Sequence, residues 1–198
     1  MRLSALTITA LAGSAVAFPT FGSLFKRQEQ ACMTEAEATE IVDIYRRLIA
    51  EYTTEIGEKY CASDFVDRSD SINVFLGKEL GEATFPTKEI FMEKVCDVNP
   101  PNRHDMTDIA VQQLNAPGFP LEVDHVDMIG CDAIALRWHA TFGAANLPSR
   151  GISILGVTNR EGWWQIKTMD VEFNNMIWLL NMGGSYTWEG KTVTGRPE

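Results

Sequence analysis

Proton transfer near neutral pH needs a side chain such as histidine, and one histidine of this 198-residue sequence stands in a suggestive context. His104 belongs to the run Arg103-His104-Asp105. A neutral imidazole has an ordinary pKa of about 6.5, so His104 could move a proton under physiological conditions. The alternative is an exposed loop after Pro100-Pro101, in which Asp105 pairs with the ring.

A pair of carboxylates lies in the predicted strand 163–173, whose alternation permits two arrangements. Asp170 and Glu172 share one face with Trp164, Ile166 and Thr168, whereas Met169, Val171 and Phe173 form the other face. If the first face points inward, Asp170 lies among apolar side chains, where a carboxyl group keeps its proton most readily. If the second face points inward, both acids lie in water.

Two tyrosines offer further polar groups on one predicted helix, which begins at the capping box Thr34-Glu35-Ala36-Glu37. Tyr45 and Tyr52 are seven residues apart on its apolar face. Their hydroxyl groups could reach a ligand, or both could be core residues with a polar tip. His139 and Arg137 share a strand face, and the period of two leaves open whether that face lines a site.

Aromatic side chains are numerous, and five of them are candidates for the wall of an apolar ligand pocket: Tyr52, Phe65, Trp138, Phe142 and Trp164. The alternative is ordinary core packing. The sequence contains neither a serine in a glycine-flanked elbow nor a phosphate-binding glycine loop. We therefore predict a small apolar molecule as partner and no cofactor.

The first 27 residues predict where the protein operates. Arg2, the apolar stretch 3–16 and the small residues Ala15-Val16-Ala17 are typical of a secretory signal peptide over 1–17. The dibasic pair Lys26-Arg27 predicts a propeptide over 18–27, although it could also be a charged loop. We expect a secreted, extracellular protein with one domain over 28–188 and a flexible tail over 189–198.

Charge and cysteine content exclude several classes of partner. The chain has 27 acidic against 17 basic residues, and its net charge of −10 disfavours nucleic acid and membrane surfaces. Four cysteines in a secreted chain predict two disulfides among Cys32, Cys61, Cys96 and Cys131, with the pairing left open. No histidine stands at zinc-ligand spacing from them, so no metal is expected.

Helical periodicity comes first in the chain and strand alternation follows. We predict a long helix from residue 34 to about 57, shorter helices over 62–71 and 88–95, and an extended run at 72–76. Strands follow at 109–114, 123–129, 133–142, 152–158 and 163–173, and a short helix at 175–182. This order predicts an α+β domain, in which a cone-shaped, curved antiparallel sheet wraps around the long helix and the two shorter ones.

Three stretches resemble a known superfamily: YCASDFVDRSDSIN (60–73), CDAIALRW (131–138) and EFNNMIWLL (172–180). They are similar to proteins of the nuclear-transport-factor-2-like superfamily, also called SnoaL-like or ketosteroid-isomerase-like, and in particular to secreted fungal proteins of that fold. The resemblance implies a cone that encloses a pocket. It also implies a cavity-facing histidine like that of the dehydratases for His104, and the carboxylate base of the isomerases for Asp170.

Three functions remain open on this basis. The first is binding of a small apolar molecule in the cone. The second is a cofactor-free isomerase, dehydratase or cyclase of fungal secondary metabolism, with His104, Asp170 and Tyr45 as its catalytic candidates. The third is a secreted effector or interaction module, including a homodimer through the sheet face that the superfamily often uses.

Overall fold

A computed structural model describes residues 32–96, 120–143, 145–160 and 162–195, with the backbone alone at 95 and 96. Within these ranges the chain forms five helices and seven strands: α1 (Glu35–Ala50), α2 (Thr54–Tyr60), β1 (Cys61–Arg68), α3 (Asp70–Leu76), α4 (Lys88–Cys96), β2 (Leu121–Ile129), β3 (Ala133–Thr141), β4 (Pro148–Arg160), β5 (Trp163–Phe173), α5 (Asn175–Asn181), β6 (Ser185–Trp188) and β7 (Lys191–Thr194). The predicted strand at 109–114 lies outside the described residues.

The sheet has five strands in the order β1-β5-β4-β3-β2. Strands β2 to β5 pair antiparallel, as predicted, but β1 runs parallel to β5. A parallel pair needs a long crossover connection, and α3 and α4 lie in the chain between β1 and the rest of the sheet. The α+β fold with a curved sheet is confirmed, but the sheet is mixed rather than purely antiparallel, because its edge strand β1 is parallel to β5.

Helix α1 begins at the predicted capping box. The Thr34 hydroxyl accepts the Glu37 N–H at 3.3 Å, and the Glu37 carboxylate accepts the Thr34 N–H at 2.7 Å. The helix ends at Ala50, so the prediction of one long helix is wrong. Thr53 provides a new cap, because its hydroxyl accepts the Ile56 N–H at 3.3 Å and starts α2.

Two local predictions between residues 61 and 76 are reversed. The segment predicted as a helix forms strand β1, and the run predicted as extended forms helix α3. Ser69 explains the second change, because its hydroxyl accepts the Ile72 N–H at 3.1 Å and caps α3. Strand β1 is held on one side by β5 and on the other by backbone bonds between Asp67 and Phe85.

The core lies between the sheet and helix α1, whose side chains Ile41, Tyr45 and Leu48 are buried. The opposite face of the sheet is exposed to solvent, and Ile152 and Ile154 on β4 are 57% and 48% exposed there. The outer face thus carries apolar side chains that a partner could cover. A homodimer through this face stays a prediction.

One disulfide joins Cys32, before α1, to Cys131 in the turn between β2 and β3. Cys61 has a free, buried thiol, which corrects the expectation that it forms a bridge. The side chain of Cys96 lies outside the described residues. At the other end of the chain, β6 and β7 form an antiparallel hairpin that ends at Thr194. The tail predicted to be flexible from residue 189 therefore begins with strand β7.

Candidate functional site

A buried carboxylic acid stands on the inner face of the sheet. The alternation of β1 turns Phe65 and Asp67 toward the core, and Asp67 is only 3% exposed. Its Oδ1 atom has no hydrogen-bond partner among the described residues. Burial, together with the negative charge of Asp170, raises the pKa of Asp67 to about 8, although Arg68 and Lys78 oppose the shift.

A second set of buried polar groups bridges helix and sheet. The Tyr45 hydroxyl of α1 and the Ser153 hydroxyl of β4 are hydrogen-bonded at 2.7 Å, and the Trp138 indole N–H donates to Ser153 at 2.9 Å. Burial raises the pKa of Tyr45 above its ordinary value, and the charge of Asp67 acts in the same direction. Asp67 and Tyr45 are thus both buried polar groups of the domain interior.

Asp170 does not lie in that interior. Its side chain is 45% exposed and forms an ion pair with Arg68 at 3.4 Å. The cause is a register shift between β4 and β5 near Gly156, which reverses the side-chain alternation along β5. Trp164 and Ile166 are buried before the shift, and Met169 and Val171 are buried after it, so Asp170 points outward. The structure thus offers no support for Asp170 as a base in an apolar pocket.

Glu172, which shares the outward direction of Asp170, has a structural task. Its carboxylate accepts the backbone N–H groups of Asp70 at 2.7 Å and Ser71 at 3.0 Å, and it also contacts the Ser71 hydroxyl. These bonds satisfy two donors at the start of α3, which have no partner within the helix.

Of the histidine candidates, His139 does not join the buried set. His139 lies on the outer side of β3, where Nδ1 is 2.7 Å from Asp124. Its neighbour on that face, Arg137, binds Asp127 through two bonds of 2.9 and 2.8 Å. His104 lies outside the described residues.

The five aromatic residues expected around a ligand belong to the packed core or contact it directly. Phe65 lies 4.9 Å from Phe91 between ring centroids, and Phe142 lies 4.6 Å from Trp178. Tyr52 makes an edge contact with Phe91 at 6.5 Å. These contacts favour core packing for Tyr52, Phe65 and Phe142. Trp138 and Trp164 are also buried but border cavities.

A groove of about 510 Å³ crosses β3, β4 and β5 where Gly151 lies in register between Trp138 and Phe173. A side chain at position 151 would collide with the Trp138 indole, which comes within 2.3 Å of the Cβ position. Ile152 adds an apolar wall, and the remaining lining side chains are charged: Asp124, Arg137, Arg150 and Glu172. Arg150 binds Asp124 at 2.9 Å, so this part of the rim is internally paired.

Sequence reasoning missed Asp67 and Ser153, two polar groups that are buried inside the sheet. A signal for Asp67 did exist, since Phe65-Val66-Asp67 places the acid on the same strand face as a phenylalanine. Among the described residues no group of three His, Cys, Asp or Glu side chains could hold a metal ion. In the same part of the chain, no helix is both long and apolar enough to cross a membrane.

The family model for the NTF2-like domain matches residues 31–185. A search of curated proteins found no match.

Among solved structures, a candidate SnoaL-like polyketide cyclase from Jannaschia sp. CCS1 is 12% identical, with a TM-score of 0.48, over 77% of this chain and 96% of that protein. A candidate ketosteroid isomerase from Shewanella frigidimarina is 14% identical, with a TM-score of 0.44, over 69% and 95%. An NTF2-like protein of unknown function from Silicibacter pomeroyi is 14% identical, with a TM-score of 0.41, over 70% and 94%.

Proposed function

The chain belongs to the NTF2-like family, and we propose that it is a secreted member that binds a small, largely apolar organic molecule. The observation that carries the proposal is the groove at Gly151. Its volume of about 510 Å³ falls within the range typical of small-molecule sites, about 300–1,000 Å³. Ile152 is the exposed apolar side chain of its lining, which also includes Trp138, Gly151 and Phe173, and charged side chains form the rim.

The proposed site is this groove rather than the interior of the cone, because several of the aromatic residues expected to line the interior pack against one another. Trp138 takes part in both regions, since it borders the groove and donates to Ser153 inside the sheet.

Secretion is part of the proposal and is supported by three features. The pattern at residues 1–17 is that of a signal peptide, and the Cys32–Cys131 disulfide is compatible with an oxidising compartment. The resemblance to secreted fungal proteins points in the same direction. Expression in a eukaryotic secretory host, followed by N-terminal sequencing of the medium protein, tests it; retention in the cell would contradict it.

The binding proposal is tested by native mass spectrometry and thermal shift against a panel of apolar metabolites. Ile152→Glu places a charge in the groove and should abolish binding, whereas Val74→Glu, at another exposed apolar position, should leave it unchanged. Light scattering of both variants separates loss of ligand from loss of a homodimer through the same face. Equal binding by wild type and Ile152→Glu would contradict the groove as the site.

A cofactor-free isomerase, dehydratase or cyclase is the second candidate function, and Asp67 favours it. A carboxyl group whose pKa lies near 8 can give or take a proton near neutral pH, as general acid–base chemistry requires. Tyr45 would act as a hydrogen-bond donor in the same interior. Turnover of a panel substrate that is lost in Asp67→Asn but kept in Asp170→Asn supports this function, and turnover kept in both contradicts it.

A further inference from the structure

A second, smaller pocket of about 150 Å³ lies where α1, the end of α2 and the turn between β4 and β5 meet. Three aromatic residues and two acids dominate its lining: Tyr60, Trp163, Trp164, Glu37 and Glu40. Aromatic faces attract cations through their quadrupole, and carboxylates attract them through charge. We propose that this pocket binds a small organic ammonium ion, with a quaternary ammonium head group as the best fit.

The aromatic walls are fixed in place by the fold. Trp164 is 5% exposed and belongs to the core, whereas Trp163 is 38% exposed. The Trp163 indole N–H donates to the Lys59 carbonyl at 3.4 Å, and the Gln165 amide donates to the same oxygen at 2.9 Å. The strand that carries both tryptophans is thus fastened to the end of α2, so the pocket is formed before a ligand arrives.

The two acids are held beside these rings. Glu40 accepts the Tyr60 hydroxyl at 3.0 Å, which joins an acid and a ring of the pocket directly. Glu37 accepts the Thr34 N–H and hydroxyl, each at 2.7 Å, and these bonds hold the pKa of the Glu37 carboxyl below its usual range. Glu37 therefore remains an anion at neutral pH, and an entering cation meets two carboxylates as well as aromatic rings.

An ammonium group of the protein already shows that the pocket suits a cation. The Lys59 Nζ atom lies over the Tyr60 ring, 4.7 Å from its centroid. Lys59 is exposed and its long side chain can swing away into solvent. It therefore competes with an external cation for the same ring, and its removal should strengthen binding of that cation.

The size of the pocket limits the ligand. About 150 Å³ accommodates a trimethylammonium group with a short substituent and excludes a multi-ring molecule. A quaternary ammonium carries its charge without N–H donors, so aromatic faces can replace its weak hydration shell better than the shell of a protonated primary amine. This occupant is chemically distinct from the apolar ligand of the larger groove.

The test uses the chain as it is secreted, without the predicted signal peptide and propeptide (residues 1–27). The ligand is choline, and 3,3-dimethyl-1-butanol is the neutral molecule of the same shape. Binding is followed by the indole N–H resonances in NMR at constant ionic strength. Choline should shift the Trp163 resonance saturably and bind about tenfold more tightly than the alcohol, because only choline gains the cation–aromatic and charge terms. Glu40→Gln and Trp163→Leu should weaken choline binding several-fold, and Lys59→Gln should strengthen it.

Trp188→Leu is the matched control, since Trp188 is 69% exposed on β6 and does not line the pocket. It should bind choline as wild type does. If Trp163→Leu fails to fold, the exposed Glu40→Gln variant still tests the proposal. The absence of a saturable shift, equal binding of the neutral alcohol, or unchanged binding by Glu40→Gln would overturn it.

Discussion

Asp67 and Asp170 stand on adjacent strands, one position out of register, and meet opposite environments. Asp170 pairs across the sheet with Arg68, whereas Asp67 pairs with Met169. The Asp67 carboxyl is 3% exposed with an unpartnered oxygen, while the Asp170 side chain is 45% exposed and bound to a cation. Residue type alone therefore says little about chemistry here. The strand face decides that the Asp67 carboxyl is buried, and burial raises its pKa.

The two carboxyl groups also differ in the free energy that their ionisation costs. An isolated ionised carboxylate is expensive to bury, so Asp67 avoids the cost by keeping its proton. Asp170 stays in water, where its ion pair contributes little. Changes inside the sheet should accordingly have larger effects than changes outside it, and they should depend on pH.

The largest effect is expected from Asp67→Asn. The folded protein keeps the Asp67 proton up to about pH 8, whereas the unfolded chain releases it near pH 4. Stability from this group is complete below the unfolded pKa and is lost as pH rises through the folded one, at about 1.4 kcal/mol per pH unit. Urea unfolding at pH 5 and pH 7 should show this slope in wild type and its loss in Asp67→Asn.

Asp170→Asn is the control for that experiment, since it changes the same residue type on the outer face. Between pH 5 and pH 7 its stability should still fall as pH rises, as in wild type. The loss should end at a lower pH, because the Asp170 charge contributes to the raised pKa of Asp67. If Asp67→Asn and Asp170→Asn give the same slope as wild type, the contrast between the two carboxyl groups is wrong.

A smaller effect is expected from Tyr45→Phe, which removes a hydroxyl from the buried set. Ser153 then loses one of its two described partners in a dry environment, so the free energy of unfolding should fall by about 1–2 kcal/mol. Tyr186→Phe on β6 should change it by less than about 0.5 kcal/mol. Chemical denaturation checks both, and equal losses would contradict a special role for the interior hydroxyl.

Glu172→Gln should cost about 1 kcal/mol, because a neutral amide oxygen accepts the Asp70 and Ser71 N–H groups less strongly than a carboxylate does. Glu189→Gln, in the turn between β6 and β7, should be nearly neutral. Thermal unfolding of the two variants at one pH measures the difference. If Glu172→Gln leaves the stability unchanged, the hydrogen bonds of Glu172 contribute nothing to the start of α3.

The smallest effect is expected from Arg68→Ala. Both partners of the Arg68–Asp170 pair are about half exposed, so its loss should lower the free energy of unfolding by less than about 0.5 kcal/mol, and less still in high salt. Denaturation at two salt concentrations measures it. A loss of 2 kcal/mol or more would place this pair among the buried interactions and remove the contrast.

More of the fold than of the candidate site could be predicted from the sequence. The starts of α1 and α4 depend on neighbouring residues only, and both were predicted and confirmed. Thr34 caps α1, and before α4 the Thr87 hydroxyl accepts the Ile90 N–H at 3.3 Å. The alternation in β3 is equally local. The break at Ala50 was missed because the apolar spacing continues through Tyr52 and Ile56 across the new cap at Thr53.

The positions of the site residues depend on strand register and long-range packing, which the alternation of residues along a strand does not reveal. The register shift near Gly156 changes which residues of β5 face inward, and no spacing rule reveals it. Asp67 was missed because residues 62–71 were predicted to form a helix, whereas residues 61–68 form strand β1. Its burial results from packing between β1, β5 and Phe85, which are far apart in sequence.

The bridge from Cys32 to Cys131 closes a covalent ring of about one hundred residues, since the two positions are 99 apart in sequence. A protease that cuts once inside this ring leaves both fragments attached until a reductant is added. Burial raises the pKa of the enclosed Cys61 thiol to about 12, so this thiol supplies almost no thiolate to attack the bridge. The molecule therefore keeps its covalent connectivity after nicking and resists scrambling by its own buried sulfur.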